Sequence, residues 1–192
     1  MFMTREILEP LGMESTVLED GADVPDITSF YTPRACMRTK LGVRKGSRPH
    51  NSCLAGAGAF FSTPSDLVRF GSAMLKPGLL NADTIALFQT PLRLASGAST
   101  DFALGWKVER VQLAGALARM VAHRATPNGS TVALLTFPDH GVVVAAASNI
   151  SPAEGLDATG RRIAETFTKP PLASLAGSSG VPKFRGSGVP EF

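Results

Sequence analysis

The sequence predicts an α+β domain in which an antiparallel sheet is flanked by helices. Four strand-like segments between residues 102 and 148 follow one another with short, turn-rich connections, the spacing of a meander. Two of them, STVALLTF and GVVVAAAS, are apolar on both faces, as strands covered on both sides are. Helical periodicity with clear end signals lies on either side of that block, over 64–75 and 153–168.

Taken in order, the chain opens with a short helix that Thr4 can cap and that ends at Pro10 and Gly12, with Ile7 and Leu8 inward. Residues 20–52 are rich in Pro, Gly, Asp, Arg and Ser and have little periodicity, which reads as an irregular excursion holding a hairpin around RKGS. Residues 55–59 are all Ala or Gly, so backbone there can approach a neighbour closely. Thr63 is an N-cap signal, Pro64 suits the first helical position, and Asp66 completes a capping box. Leu67, Phe70, Gly71, Met74 and Leu75 follow at helical spacing and give one apolar face. A second helix is capped by Asn81 and runs to Gln89, with Pro91 ending it. In FALGWKVERV, Trp106, Val108 and Val111 are set against Lys107, Glu109 and Arg110, and ALARMVAH returns through a turn near Gly115. PDHG joins the last two strands, which places His140 in a turn. The closing helix puts Leu156, Ile163 and Phe167 on one face.

Composition narrows the class. The chain has 192 residues, 44% hydrophobic and 18% charged, enough for one domain with a core rather than a disordered segment. The net charge of +3 is scattered except for a cluster of Arg34, Arg38, Lys40, Arg44, Lys45 and Arg48. No aromatic residues alternate with these bases to stack on nucleotides, so the cluster reads as a solvated face and no nucleic acid is expected. Cys36 and Cys53 can form at most one disulfide, lie in no C-x-x-C and have no histidine at ligand spacing; they read as buried apolar thiols, with no metal site and no cofactor implied. The longest apolar run, 141–147, is too short to span a membrane, and no membrane partner is expected. Arg5, Glu6 and Glu9 exclude a signal peptide in MFMTREILEPLGM, which reads like the middle of a longer helix. Trp106 reads as a core residue, and His50 sits beside turn residues. Residues 1–168 form the expected domain. Residues 169–192 are rich in Pro, Gly and Ser and repeat SGVPKF as SGVPEF, which reads as a disordered tail or a vector-encoded or frame-shifted end.

Several phrases, in order, resemble the C-terminal half of serine β-lactamase-like proteins. That family includes class C β-lactamases, D-alanyl-D-alanine carboxypeptidases, esterases and the mitochondrial serine β-lactamase-like branch. The phrases are ILEPLGMEST, AGAGAFFSTPSDLVRFGSAML, ALGWKVER and AHRATPNGSTVALLTFPDHGVVVAAASN. Asn51-Ser52 is most similar to the mitochondrial type. The resemblance covers residues 4–168 and implies part of the transpeptidase fold shared with penicillin-binding proteins. That family's chemistry needs a serine one helical turn from a lysine (S-x-x-K), a proton-shuttling tyrosine in Y-x-N, and K-T-G or H-x-G on a strand. No serine of this chain has lysine three positions on, and the single tyrosine, Tyr31, precedes Thr32-Pro33, so the first two motifs are absent.

The resemblance places His123 at the third motif, at the active-site end of a strand and facing substrate. Here H-x-G reads His123-Arg124-Ala125, with a methyl where the family has glycine and bulk beside it. By the same resemblance the backbone N–H of Thr126 is the oxyanion donor, Gly129 keeps the following loop open, and Arg124, Ala125 and Gly129 line the substrate side. Strand alternation points Arg124 away from His123. The implied function is a fragment or truncated relative of a serine hydrolase acting on amide or ester bonds through an acyl-serine, inactive alone. The alternative is a binding or interaction protein that kept the sheet and lost the nucleophile. The partners implied are a small-molecule or peptide substrate in an intact parent, and a missing N-terminal segment.

Overall fold

In the computed structural model the described residues are 2–19, 24, 26–34, 41–47 and 58–168. Cys36, Cys53, His50, Asn51, Ser52, the 55–57 part of the small-residue stretch and the 169–192 tail lie outside them. So do Arg38, Lys40 and Arg48 of the basic cluster.

The elements in chain order are β1 (Val17–Leu18), β2 (Tyr31–Pro33), β3 (Val43–Lys45), β4 (Phe60–Phe61), α1 (Pro64–Ala73), α2 (Ala82–Gln89), β5 (Lys107–Leu113), β6 (Ala116–Ala125), β7 (Thr131–Phe137), β8 (Val142–Ser148) and α3 (Leu156–Phe167). β5 to β8 form one antiparallel sheet in the order of the sequence, the expected meander. β1 pairs with β4, and β2 with β3. No described helix is long and apolar enough to cross a membrane.

The turns follow from local chemistry. Leu113 pairs with Ala116, so Ala114 and Gly115 make a two-residue turn, and both have positive φ, at 49° and 82°. Pro138–His140 form a single 3-10 turn closed by Gly141 at φ 65°, which places His140 in the turn as expected.

Asn81 caps α2 by accepting from the Thr84 N–H at 2.8 Å. Thr63 caps α1, its Oγ1 accepting from the Asp66 N–H at 3.2 Å. Asp66 does not return the bond to Thr63 as a capping box would. Its carboxylate, buried at 1% exposure, accepts from the Ser15 N–H, the Thr16 hydroxyl and Arg69 at 2.9, 2.8 and 2.6 Å. The helix start thereby ties down the loop after the opening helix. That opening segment, Thr4–Leu8, is a π-type turn without a side-chain cap, and Leu8 is its buried residue.

Three other expectations change. The hairpin around RKGS is a longer-range pair in which Tyr31 faces Lys45 and Pro33 faces Val43. In β5, strict alternation separates Val108 from Val111, which join the cores on opposite faces of the sheet. In α3, Ile163 and Phe167 are 42% and 71% exposed, and Gly160 and Ala164 face the sheet with Leu156 beside them. A Cβ on Gly160 would lie 2.7 Å from Leu135 Cδ1, so the helix backbone lies close against the sheet at that point.

The sheet is covered on both faces. α3 packs over β5, β7 and β8, and a core of Val111, Leu113, Ala118, Met120, Leu135 and Phe137 lies beneath it. α1 packs over β7 and β8, with Gly71 against Val143 and Leu134, and its core holds Met74, Trp106, Val121 and Leu134. At the C-terminal end of β6, α1 approaches that face only through side chains such as Leu67 and Phe70, and a cavity remains between them and the strand.

Candidate active site

β6 delivers its last residues alternately to the two faces. Val121 belongs to the core on the α1 face, and His123 and Ala125 follow it at even spacing. Arg124, between them, points to the α3 face. His123 and Ala125 line a cavity of about 300 Å³ completed by Leu67 and Phe70 of α1, Gly105 and Trp106 before β5, and Val132 and Leu134 of β7. Among the described residues of that lining, His123 is the only titratable side chain.

The His123 ring is held from two sides. Its Nδ1 lies 2.8 Å from the carbonyl oxygen of Gly105. Gly105 has φ 78°, in the left-handed region that glycine enters without strain, and this backbone conformation precedes Trp106. The indole is 6% exposed, stacks on Phe70 at 6.4 Å and 12°, and meets the His123 ring edge-on at 6.2 Å and 74°. Trp106 is thus both a core residue, as expected, and a wall of the cavity.

Arg124 is engaged elsewhere. Its Nη2 donates to Glu109 Oε2 at 2.7 Å and its Nε donates to Asp157 Oδ2 of α3, while Lys107 donates to the other Glu109 oxygen at 3.0 Å. Burial would raise the Glu109 carboxyl, but the bonds from Lys107 and Arg124 outweigh it and hold the group below the usual carboxylate range. Burial would likewise loosen the Arg124 proton, and the bonds to Glu109 and Asp157 overcome that. The guanidinium therefore ties β6 to β5 and α3 and does not line the cavity, unlike the substrate-side position expected for it.

Thr126 follows directly on the last residue of β6 and is exposed, and its N–H donates to no described residue. Gly129 is buried at φ 83°, and an added Cβ would come within 2.6 Å of Phe30 Cβ. Its glycine requirement comes from that conformation and from Phe30 filling the space beside it, rather than from an open loop. Among the described residues no group of three or more His, Cys, Asp or Glu side chains is placed to hold a metal ion.

Sequence reasoning singled out neither Gly105 as the partner of His123 nor Glu109 and Asp157 as the partners of Arg124. The glycine directly before the only tryptophan was the available signal for the first. The second joins Arg124 to residues 15 and 33 positions away and had none.

The family profile described as Beta-lactamase matches residues 1–167. No curated protein matches. Among solved structures, a D-stereospecific amidohydrolase from Streptomyces sp. is similar at 20% identity and TM-score 0.65, over 84% of this chain and 46% of that one. An octameric penicillin-binding protein homologue from Pyrococcus abyssi is similar at 16% identity and TM-score 0.67, over 86% and 36%. A D-amino acid amidase from Ochrobactrum anthropi SV3, complexed with L-phenylalanine amide, is similar at 19% identity and TM-score 0.61, over 77% and 42%. This chain therefore spans less than half the length of each, and at these identities the likeness is one of fold.

Proposed function

This chain belongs to the beta-lactamase family, and we propose that it forms one wall of the substrate cleft of a serine hydrolase that cleaves amide or ester bonds through an acyl-serine. The observation that carries the reading is His123, held at the C-terminal end of β6 and lining a cavity between that strand and α1. In this reading His123 is the polar side chain facing substrate, the Thr126 N–H supports the oxyanion, and Ala125 forms the floor beside them. Arg124 positions the strand from behind. The amidohydrolase and amidase neighbours favour an amide-bearing substrate.

This sequence carries neither S-x-x-K nor Y-x-N. By itself it should therefore leave nitrocefin and p-nitrophenyl esters uncleaved above background, because the covalent route needs the nucleophile. Turnover that survives purification, and that is lost on changing one serine of this chain, would overturn that statement. The absence of both motifs also favours a second reading, a binding protein that keeps the cleft wall without the chemistry. The two part in a polypeptide that supplies both motifs ahead of this chain. There His123→Ala should lower kcat/KM by about 10- to 1,000-fold, as expected for removing one group that stabilises the transition state, and Arg124→Ala by less. No hydrolysis in that polypeptide favours the binding reading, and a larger loss at Arg124 removes His123 from its role.

A further inference from the structure

Resting on the reading that the His123 cavity receives substrate, we propose that it selects neutral ligands that join a ring-sized apolar group to a hydrogen-bond donor, and that it rejects carboxylates until His123 is protonated. The reasoning begins at Gly105. A carbonyl oxygen can only accept, so the Nδ1 that lies 2.8 Å from it carries a hydrogen whether the ring is neutral or charged. The neutral ring is thereby held in one tautomer, with Nε2 as a bare acceptor. Nε2 bonds to no described residue. At neutral ring charge this site offers a lone pair, which attracts an amide or hydroxyl hydrogen and repels a carboxylate. Protonation turns the same atom into a charged donor and inverts the preference.

Among the described residues nothing else in the cavity offsets that logic. The other described side chains lining it are Leu67, Phe70, Trp106, Ala125, Val132 and Leu134, none of which would give an entering carboxylate a cation in exchange for its lost water. The charged groups on the surrounding elements are turned elsewhere or do not line the cavity. On α1, Asp66 and Arg69 pair with each other. Before β5, Asp101 lines a different cavity. On β5, Lys107 and Glu109 pair together, Glu109 also bonds Arg124 of β6, and Arg110 lines the same separate cavity as Asp101. β7 has no charged residue. A volume of about 300 Å³ is at the small end for ligand sites and suits one aromatic ring with a short polar arm. Phe70 and Trp106 supply flat apolar surface for that ring.

The test uses this chain as it stands. Trp106 is its only tryptophan, so indole fluorescence reports on the cavity directly. Phenylacetamide and phenylacetate are titrated at pH 8.5 and at pH 5, spanning the range in which imidazoles change charge. At pH 8.5 the amide should bind about tenfold more tightly than the carboxylate, the discrimination expected for one unpaired polar contact. At pH 5 the carboxylate should gain at least as much and the preference should vanish or reverse. His123→Gln should bind both probes with no change between the two pH values, its fold checked by circular dichroism. Imidazole nitrogen shifts in NMR should show the neutral ring protonated at Nδ1. Tighter binding of phenylacetate at pH 8.5, an unchanged preference across pH, a neutral ring protonated at Nε2, or binding of neither probe would each overturn the proposal. None of these results touches the hydrolase reading, which stands or falls on the His123→Ala loss in a polypeptide that carries the nucleophile.

Discussion

On the α3 face of the sheet, Leu113, Met120, Leu135 and Phe137 are at most 1% exposed and the covering helix reaches β5 as well as β7 and β8. On the α1 face, Trp106, Val121 and Leu134 are buried too, yet a cavity of about 300 Å³ remains beside them, between Leu67 and Phe70 of α1 and His123 and Ala125 of β6. The polar residues divide in the same way. Arg124, on the closed face, has its charge matched by Glu109 and Asp157, whereas His123, on the open face, keeps one ring nitrogen unbonded among the described residues. One strand thus supplies a structural cation to one side and an available functional group to the other. The closed face holds the sheet together, and the other face leaves His123 exposed beside a cavity.

Truncation of a large side chain on each face tests this most strongly. Phe137→Ala should cost about 3–5 kcal/mol of folding stability, since a fully buried ring leaves a cavity that its neighbours cannot fill. Phe70→Ala, on the open face and only partly buried, should cost less than half as much in the same chemical denaturation series. Equal losses would mean that the open face is as tightly packed as the closed one.

The two helix glycines sharpen the comparison. At Gly71 an added methyl would meet Val143 Cγ1 at 2.7 Å and Leu134 Cδ1 at 3.1 Å, and the β-branched valine has little freedom to move away. Gly71→Ala should therefore cost about 1–3 kcal/mol by overpacking. At Gly160 the clash is with Leu135 Cδ1 alone, the end of a flexible side chain, and the gain in helix propensity of about 1 kcal/mol offsets much of it. Melting temperatures of the two variants should fall in that order.

The ion-pair cluster gives a pH signature confined to the closed face. Glu109 is held below the usual carboxylate range in the folded chain, so its contribution is complete above the unfolded value and disappears as acid protonates the folded carboxyl. Glu109→Gln should accordingly cost about 1 kcal/mol near pH 7, in keeping with a partly exposed pair, and almost nothing near pH 2. A penalty independent of pH would mean that the side chain acts through packing rather than charge. The smallest effect belongs to the site itself. His123→Ala removes one exposed hydrogen bond to Gly105 and should lower stability by no more than about 1 kcal/mol, measured by thermal melting.

Much of this architecture was legible residue by residue. The Thr63 and Asn81 caps, the Ala114-Gly115 and PDHG turns, and the four strands in sequence order all rest on interactions within a few residues of each other, which local chemistry decides. The opposed directions of His123 and Arg124 follow from the pleat of any strand. The errors arose where distant segments meet. Ile163 and Phe167 look like a buried stripe by periodicity, but the close approach allowed at Gly160 turns Ala164 inward and leaves both exposed. Asp66 satisfies the pattern of a capping box, yet its carboxylate is drawn to Ser15 and Thr16, 51 and 50 positions away.

The sequence by itself determined the order of the elements, the alternation along β6, and the absence of S-x-x-K and Y-x-N from these 192 residues. Covalent geometry and near neighbours set those features before the chain folds. Only the tertiary structure decided that a cavity lies between α1 and the end of β6, that Arg124 is neutralised by a helix 33 positions away, and that the Gly105 carbonyl holds the His123 ring. Those outcomes depend on which surfaces come within bonding distance once the sheet and its helices pack, and that distance is not encoded in any short stretch of the chain.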